Sequence, residues 1–170
     1  LADMVGIDLS SIESKGVEFV LNTKNIDTQD FKWSTNFNLT TNKTKVISLP
    51  NNGKDIIGTY TINRVGENVS SFYLKEYAGV DPANGDALYY DGSITINADG
   101  STTRNTTNDY AAAPRVIAGN PFPTLMAGLT NTINYKGLDF SFTFQGEWGA
   151  SIYNSAGIYQ SVSGDYLDNQ

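Results

Sequence analysis

The sequence predicts an all-β fold of antiparallel strands that have the length and patterning of transmembrane β-barrel strands, interrupted by one long excursion. Two runs carry this prediction, residues 31–40 and 138–148, in which apolar and polar side chains alternate almost without a break. Because successive side chains of a strand point to opposite faces, each run gives one apolar, aromatic face and one polar face. A tilted membrane strand has about 9–11 residues, and both runs approach that length.

Residues 1–49 are predicted to hold the first pair of barrel strands, joined by a short periplasmic turn. Apolar residues alternate between Val17 and Leu21, a polar turn follows at residues 25–30, and the strand at 31–41 can continue through 45–49. The chain begins at Leu1 without the charged-then-apolar pattern of a signal peptide. We therefore expect it to be a segment of a longer protein; a processed piece is the alternative.

Residues 50–122 have a different composition and are predicted to form the excursion, a long extracellular loop region. They are rich in Gly, Asn, Asp, Thr and Tyr, and turn dipeptides such as Asn52-Gly53 recur along them. Short strands are expected at 56–62, 70–78, 87–91 and 93–97, and the last two are expected to form a hairpin at Asp91-Gly92.

Residues 123–170 are predicted to hold a second pair of barrel strands and the start of the next loop. Alternation resumes at Leu125, and a tight turn at 135–137 separates it from the run at 138–148. If the first strand of each pair runs inward across the membrane, the second strand runs outward. Both short turns then lie on one side of the membrane, and the whole excursion lies on the other. Barrels with short periplasmic turns and long extracellular loops have this asymmetry.

The apolar faces of these strands are predicted to contact outer-membrane lipid. The residues assigned to that contact are Phe19, Trp33, Phe37, Leu129, Phe140, Phe142, Phe144 and Trp148. An alternative interpretation is a soluble, secreted β-sandwich that binds carbohydrate through its Tyr-rich loops. The two differ in one requirement, since a sandwich buries these side chains in its own core.

Aromatic residues crowd into the excursion and are candidates for contact with a ligand or a partner protein: Phe72, Tyr73, Tyr77, Tyr89 and Tyr90. The alternative is a small local core that lets a long loop fold as a unit. The run Asp81–Asp86 with Asp91 offers oxygens that could suit Ca²⁺, but the full spacing of a calcium-binding loop is missing and Asx turns explain the same residues. We therefore predict no metal site.

Composition excludes several functions. The chain has a net charge of −7 and no basic stripe, so we expect no nucleic-acid partner. It lacks both Cys and His, which removes thiolate chemistry and the commonest general base. No pair of carboxylates is positioned by the sequence, and no phosphate-binding loop is present. We predict a protein that is not an enzyme and holds no cofactor.

Several collinear segments resemble the late barrel region of SusC/RagA-type TonB-dependent outer-membrane transporters. They are Lys15–Asn25, Phe31–Asn38, Val65–Glu67, Ser71–Tyr73, Tyr77–Asp86, Gly119–Thr124, Gly128–Phe140, Phe144–Gly149 and Ile152–Asn154. The resemblance implies that the chain is a section of the C-terminal part of a large barrel in the bacterial outer membrane. It further implies import of a nutrient, either an oligosaccharide or a peptide, with TonB and a SusD-like surface lipoprotein as partners. The matching motifs are structural, so no catalytic residue is implied.

Overall fold

The computed structural model describes residues 10–157, which form antiparallel strands in three sheets. In chain order the strands are β1 (Ser11–Asp27), β2 (Phe31–Ser48), β3 (Ile56–Ile57), β4 (Thr61–Asn63), β5 (Ser71–Lys75), β6 (Tyr77–Val80), β7 (Ala87–Ile96), β8 (Thr102–Thr107), β9 (Arg115–Gly119), β10 (Leu125–Tyr135) and β11 (Leu138–Trp148). One helical turn, α1 (Pro50–Gly53), follows β2. The all-β, antiparallel prediction is confirmed. Residues 1–9, and residues 158–170 with the predicted start of the next loop, lie outside the described residues.

None of the helical structure at residues 10–157 is long and apolar enough to cross a membrane.

The longest strands form one sheet in the order β1-β2-β10-β11, here called the wall sheet. β2 and β10 pair in the sheet although the whole excursion lies between them in the sequence. Their register runs from Phe31 opposite Tyr135 to Thr41 opposite Leu125. The β1–β2 and β10–β11 turns lie at the same end, where the Lys136 N–H donates to the Asp30 C=O at 3.0 Å. Strand directions therefore alternate as predicted, and the excursion leaves and returns at the opposite end.

The first hairpin is longer than its apolar pattern indicates. β2 runs to Ser48, in line with the predicted continuation, and the weakly periodic residues at the start of β1 pair with this second half of β2. Ser11 lies opposite Ser48, and Gly16 lies opposite Asn42. Cross-strand pairing rather than local propensity therefore sets where β1 begins.

The base of the excursion forms a second sheet, in the order β3-β4-β5-β9, here called the pedestal sheet. The side chains of Ile62 in β4 and Val46 in β2 are each 1% exposed. They are among the few fully buried apolar groups at residues 10–157. The Val46 N–H donates to the Glu67 C=O, and the Gly66 N–H donates to the Val46 C=O, both at 2.9 Å. The pedestal sheet is thus attached directly to the far end of β2.

The outer part of the excursion forms a third sheet, in the order β6-β7-β8, here called the arm sheet. The strand predicted at 70–78 is divided at Glu76, so its first part belongs to the pedestal sheet and its second part to the arm sheet. β8 and β9 have no counterpart among the predicted strands. Both are short, and neither shows the apolar alternation that identifies a strand in sequence.

The predicted hairpin at Asp91-Gly92 is wrong. β7 continues through both residues, and its register against β8 shifts between Tyr90 and Ile94, which marks a β-bulge. Gly92 supplies the positive φ of 84° that the bulge needs, and the Asp91 carboxylate accepts a hydrogen bond from the Ser93 N–H at 2.8 Å. The chain reverses later, where the Asn97 N–H donates to the Ser101 C=O at 2.8 Å.

Candidate functional site

The wall sheet has one apolar and one polar face. Residues directly opposite each other share a face, and the register aligns Phe19 with Leu39, Phe37 with Leu129 and Leu129 with Phe144. By the same register and the two-residue period, all eight residues assigned to lipid lie on this one face. Contact with lipid itself stays a prediction.

Large aromatic groups on the apolar face are open to the surroundings. Phe144 is 66% exposed, Phe140 60%, Trp148 53% and Phe19 49%. The sandwich alternative requires these rings to be buried in a core, and nothing in the described residues covers them to that extent. A face of this size and aromatic content is typical of a surface that contacts lipid or another protein.

The opposite face of the wall sheet is lined with amides and hydroxyls. The hydroxyls of Thr130 and Thr143 share a hydrogen bond at 2.9 Å, and the Asn36 amide donates to Asn22. Near the turns, the Asn134 amide donates to the carboxylate of Asp139. A shallow concavity of about 390 Å³ lies on this side between Asn38, Gln145 and their neighbours. In a barrel this face lines the interior.

The structure separates the five aromatic residues proposed as ligand or partner contacts. Tyr77 and Tyr89 lie on the arm sheet with their ring centroids 6.0 Å apart. Tyr110, which sequence reasoning missed, packs edge-on against Tyr89 at 5.1 Å. We call Tyr77, Tyr89 and Tyr110 the tyrosine cluster. Tyr77 is 57% exposed and Tyr110 60%, so the cluster is a surface feature rather than a closed core.

Tyr90 points to the other face of the arm sheet, because it is the immediate neighbour of Tyr89 in the same strand. The Arg104 guanidinium lies 3.6 Å from its ring centroid and forms an ion pair with Glu76. The hydrogen bond to Glu76 raises the pKa of Arg104 above its ordinary value, and partial desolvation opposes the shift. Tyr90 therefore packs against the Arg104–Glu76 ion pair and does not join the tyrosine cluster.

Phe72 and Tyr73 belong to the pedestal sheet. Phe72 lies beside Tyr153, which stacks on Tyr60 with ring centroids 4.4 Å apart. Arg64 lies over the ring of Tyr73 and forms an ion pair with Asp55 at 2.8 Å.

Tyr153 is partly desolvated by the rings of Tyr60 and Phe72 that lie against it. Desolvation, more than the hydrogen bond to Tyr60 and the charges of Tyr60 and Tyr110, raises the pKa of Tyr153.

Sequence reasoning missed Tyr60, Tyr110 and Tyr153. None of them has another aromatic residue within four positions in the sequence, and only the folding of the chain brings each to the other rings. The preference of aromatic residues for one another is visible in sequence only when they are already close in the chain.

The acidic residues considered for Ca²⁺ are engaged in turns. The Asp81 carboxylate accepts from the Ala83 N–H at 2.9 Å, and the Asn84 side chain accepts from the Asp86 N–H at 2.9 Å. Hydrogen bonds from Ser93, chiefly from its N–H and next from its hydroxyl, lower the pKa of Asp91. Within residues 10–157, no three acidic, His or Cys side chains converge as a metal site would require.

Known proteins with similar sequences are receptors of one kind. The chain is 33% identical over 163 residues to TonB-dependent receptor P3 of Formosa agariphila, a match that covers 86% of this chain and 16% of the relative. It is 35% identical over 170 residues to TonB-dependent receptor P26 of the same organism, and this match also covers 86% of this chain and 16% of the relative. TonB-dependent receptor SusC of Bacteroides thetaiotaomicron is 27% identical over 182 residues, with 95% and 17% covered. No family model matches the chain.

Solved structures show the same fold. The RagAB peptide importer in its closed-closed state superposes with a TM-score of 0.73 at 26% identity, covering 83% of this chain and 16% of the solved one. A structure of the RagAB peptide transporter superposes with a TM-score of 0.71 at 26% identity, and the match covers 82% of this chain and 15% of the solved chain.

This chain spans only 16–17% of the length of the curated relatives named above, so it corresponds to a section of proteins of that size. The similarity extends over most of the chain in sequence and in structure. The wall sheet matches in fold a part of a TonB-dependent transporter, although the strands described do not close a barrel. The chain belongs to the TonB-dependent receptors of the SusC/RagA type.

Proposed function

We propose that this chain forms part of the barrel wall of a TonB-dependent receptor that imports a nutrient, an oligosaccharide or a peptide, across the bacterial outer membrane. The observation that carries the proposal is the wall sheet, whose four strands present one continuous apolar, aromatic face and one face of amides and hydroxyls. Barrel strands in an outer membrane need this division, because their outer face meets hydrocarbon and their inner face meets a polar interior.

The proposal assigns β1 and β2, within residues 1–49, and β10 and β11, within residues 123–170, to barrel strands joined by short periplasmic turns, and residues 50–122 to the cell exterior. The pedestal and arm sheets carry many polar groups and ion pairs, which hydrocarbon would not accommodate. The two short turns share one end of the wall sheet. In this orientation Phe37, Phe144 and the other aromatic groups of the apolar face meet lipid.

A SusD-like surface lipoprotein and TonB are the proposed partners of the complete receptor. The names of the relatives support TonB coupling, and RagAB is described as a peptide importer. Within residues 10–157, β1 and β11 each lack a second neighbouring strand. This supports the view that further strands continue the sheet in the complete receptor, since unpaired edges are not tolerated in lipid. We propose a role in binding and transport and no catalytic role.

Single-cysteine labelling tests the proposed orientation. The chain contains no Cys, so Tyr110→Cys, Lys136→Cys and Phe144→Cys each introduce one thiol into this section of the full-length receptor, which is otherwise made free of Cys. In intact cells a membrane-impermeant maleimide should label Cys at position 110 and not at 136. The thiol at position 144 should react only after the receptor is unfolded, because a thiol that faces hydrocarbon does not ionise to the reactive thiolate. Labelling of position 136 from outside would contradict the orientation.

A further inference from the structure

The arm sheet places aromatic and polar side chains on one face. Tyr89 lies opposite both Tyr77 and Thr107, and Thr95 lies opposite Thr103. The bulge lies in β7, so alternation along β8 puts Thr103, Asn105 and Thr107 on this face with the tyrosine cluster. Ser93 of β7 and Asn97, which follows β7, share the face because they hydrogen-bond to Asn105 and Thr103. We call the polar ones the polar ladder: Ser93, Thr95, Asn97, Thr103, Asn105 and Thr107.

The tyrosine cluster is held in place while much of its surface stays accessible. Tyr89 sits between its two partners in edge-on contacts, and the Lys75 ammonium lies 4.0 Å from the Tyr110 ring centroid. Lys75 also donates a hydrogen bond to the Tyr110 C=O, so backbone and ring are fixed by the same residue. A rigid, exposed ring costs little conformational entropy when it binds a ligand.

The polar ladder is also ordered by its own hydrogen bonds. The Thr95 hydroxyl donates to the Asn105 Oδ1 at 2.8 Å, and the Asn105 Nδ2 donates to the Ser93 Oγ at 2.9 Å. Nearer the turn, the Asn97 Nδ2 donates to the Thr103 Oγ1 at 3.0 Å. An amide has two donor hydrogens and two acceptor lone pairs, so these bonds leave capacity for a ligand.

Charge on and around this face favours an uncharged ligand. The excursion at 50–122 has five basic and eight acidic side chains. Arg104 lies on the opposite face and is paired with Glu76. The carboxylate nearest the ladder, Asp91, already accepts two hydrogen bonds from Ser93. Lys75 is the basic group at the tyrosine cluster, and its ammonium is engaged by the Tyr110 ring and by the C=O groups of Tyr110 and Ala111. The polar ladder itself contains no basic side chain, so a sulfated or uronic sugar, or a peptide with free carboxylates, would meet no unengaged cation there.

We propose that the tyrosine cluster and the polar ladder together bind a neutral oligosaccharide. The C–H groups of a sugar ring would pack on the exposed tyrosine rings, and the sugar hydroxyls would exchange hydrogen bonds with the amides and hydroxyls of the ladder. This names the nutrient class of the proposed importer, and it rests on the proposed function in placing the arm sheet outside the cell.

Binding measured by calorimetry on the purified full-length receptor tests the proposal. The probes are maltohexaose, laminarihexaose and mannohexaose, with an uncharged Gly/Ser hexapeptide for comparison. We expect at least one of the sugars to bind. Tyr110→Ala and Tyr77→Ala should each raise its Kd about tenfold, because aromatic anchors carry a large share of binding energy. Tyr110→Phe keeps the ring and should change Kd less than about twofold.

The matched control is Ile96→Ala. Ile96 is on the opposite face of the same sheet and is 72% exposed, so its truncation removes apolar surface without touching the site. An unchanged Kd in this variant supports the proposal. Equal weakening by Ile96→Ala and Tyr110→Ala would overturn it, as would binding of the peptide alone or of none of the three sugars.

Hydrogen exchange at residues 87–107 shows whether each variant keeps the arm sheet folded. Should Tyr110→Ala lose protection there, Tyr110→Leu replaces it, since leucine retains apolar volume without the flat ring; a parental Kd in a folded Tyr110→Leu receptor would overturn the proposal. Import is scored separately, as TonB-dependent growth on the nutrient. Growth without sugar binding overturns only the present inference, whereas sugar binding without TonB-dependent growth overturns only the proposed function.

Discussion

The Trp33 Nε1–H donates a hydrogen bond to the Asn131 Oδ1 at 2.9 Å and so joins β2 to β10 across the whole excursion. The Thr35 hydroxyl donates to the same oxygen at 2.7 Å. Asn131 lies on the apolar face of the wall sheet but is only 8% exposed. A satisfied polar group among apolar neighbours favours one register over its alternatives, because a slipped strand would leave donors and acceptor unpaired.

Asn131→Leu should lower the free energy of unfolding of the full-length receptor by about 1 kcal/mol, because the Trp33 N–H and the Thr35 hydroxyl lose their acceptor. Urea unfolding in lipid vesicles, followed by tryptophan fluorescence and by electrophoretic mobility, measures the change. Trp33→Phe removes the Trp33 N–H, one of the two donors that Asn131→Leu leaves without an acceptor, and serves as the second single variant of a double-mutant cycle. Strict additivity of the two substitutions would show that the hydrogen bond contributes nothing to stability.

The two faces of β11 should respond in opposite ways to a new charge. Phe144→Lys places an ammonium on the apolar face, and near the bilayer midplane this costs about 2–4 kcal/mol. Thr143→Lys is the matched control, since its side chain lies one residue away on the polar face. We expect the yield of folded receptor in the outer membrane to fall for the first variant and to stay near the parental level for the second. The reverse ranking would mean that the apolar face does not contact lipid.

The wall sheet could be predicted because alternation over 10 or 11 residues has few explanations, and the register then follows from matching apolar faces. The arm and pedestal sheets could not be predicted in full, since their strands are short. At Asp91-Gly92 the sequence signal for a hairpin is the same as that for a bulge, and the partner strand decides between them. Asp99-Gly100 has the same composition and lies in the actual turn.

The candidate site was predictable only in part, for a related reason. Tyr77 and Tyr89 belong to strands with recognisable patterning, whereas Tyr110 follows a polar stretch and reaches them through the loop after β8. Tyr89 and Tyr90 are adjacent in sequence, and the crowding of aromatic residues in the excursion predicts that both belong to one contact site. Their opposite orientations mean that a double substitution would disturb two different environments, so the site must be tested with single variants.

Gly16 should not tolerate a side chain. A Cβ atom at this position would lie 2.2 Å from the Thr41 carbonyl oxygen, and a backbone atom cannot move away as a flexible side chain can. We expect Gly16→Ala to destabilise the β1–β2 pairing by about 1–3 kcal/mol, the usual range for overpacking. Hydrogen exchange of the β1 amides measures this loss. Glu18→Ala, an exposed position two residues away, is the control and should leave exchange unchanged; equal protection in both variants would contradict the prediction.

The turn at Asn97–Ser101 should weaken only in strong acid. Hydrogen bonds from the Ser101 hydroxyl at 2.7 Å and from its N–H at 2.9 Å lower the pKa of Asp99 below its ordinary value. Because the folded-state pKa is lowered, the stabilisation is complete above the ordinary pKa of about 3.9 and is lost as the pH falls through the lowered value. Protection of this turn, measured by hydrogen exchange and corrected for intrinsic rates, should therefore stay constant from neutral pH to about pH 4 and fall below it. Asp99→Asn keeps an acceptor that does not titrate, so its protection should be flat over the same range. A decline that begins at pH 6, or the same acid loss in the Asn variant, would show that another group controls the turn.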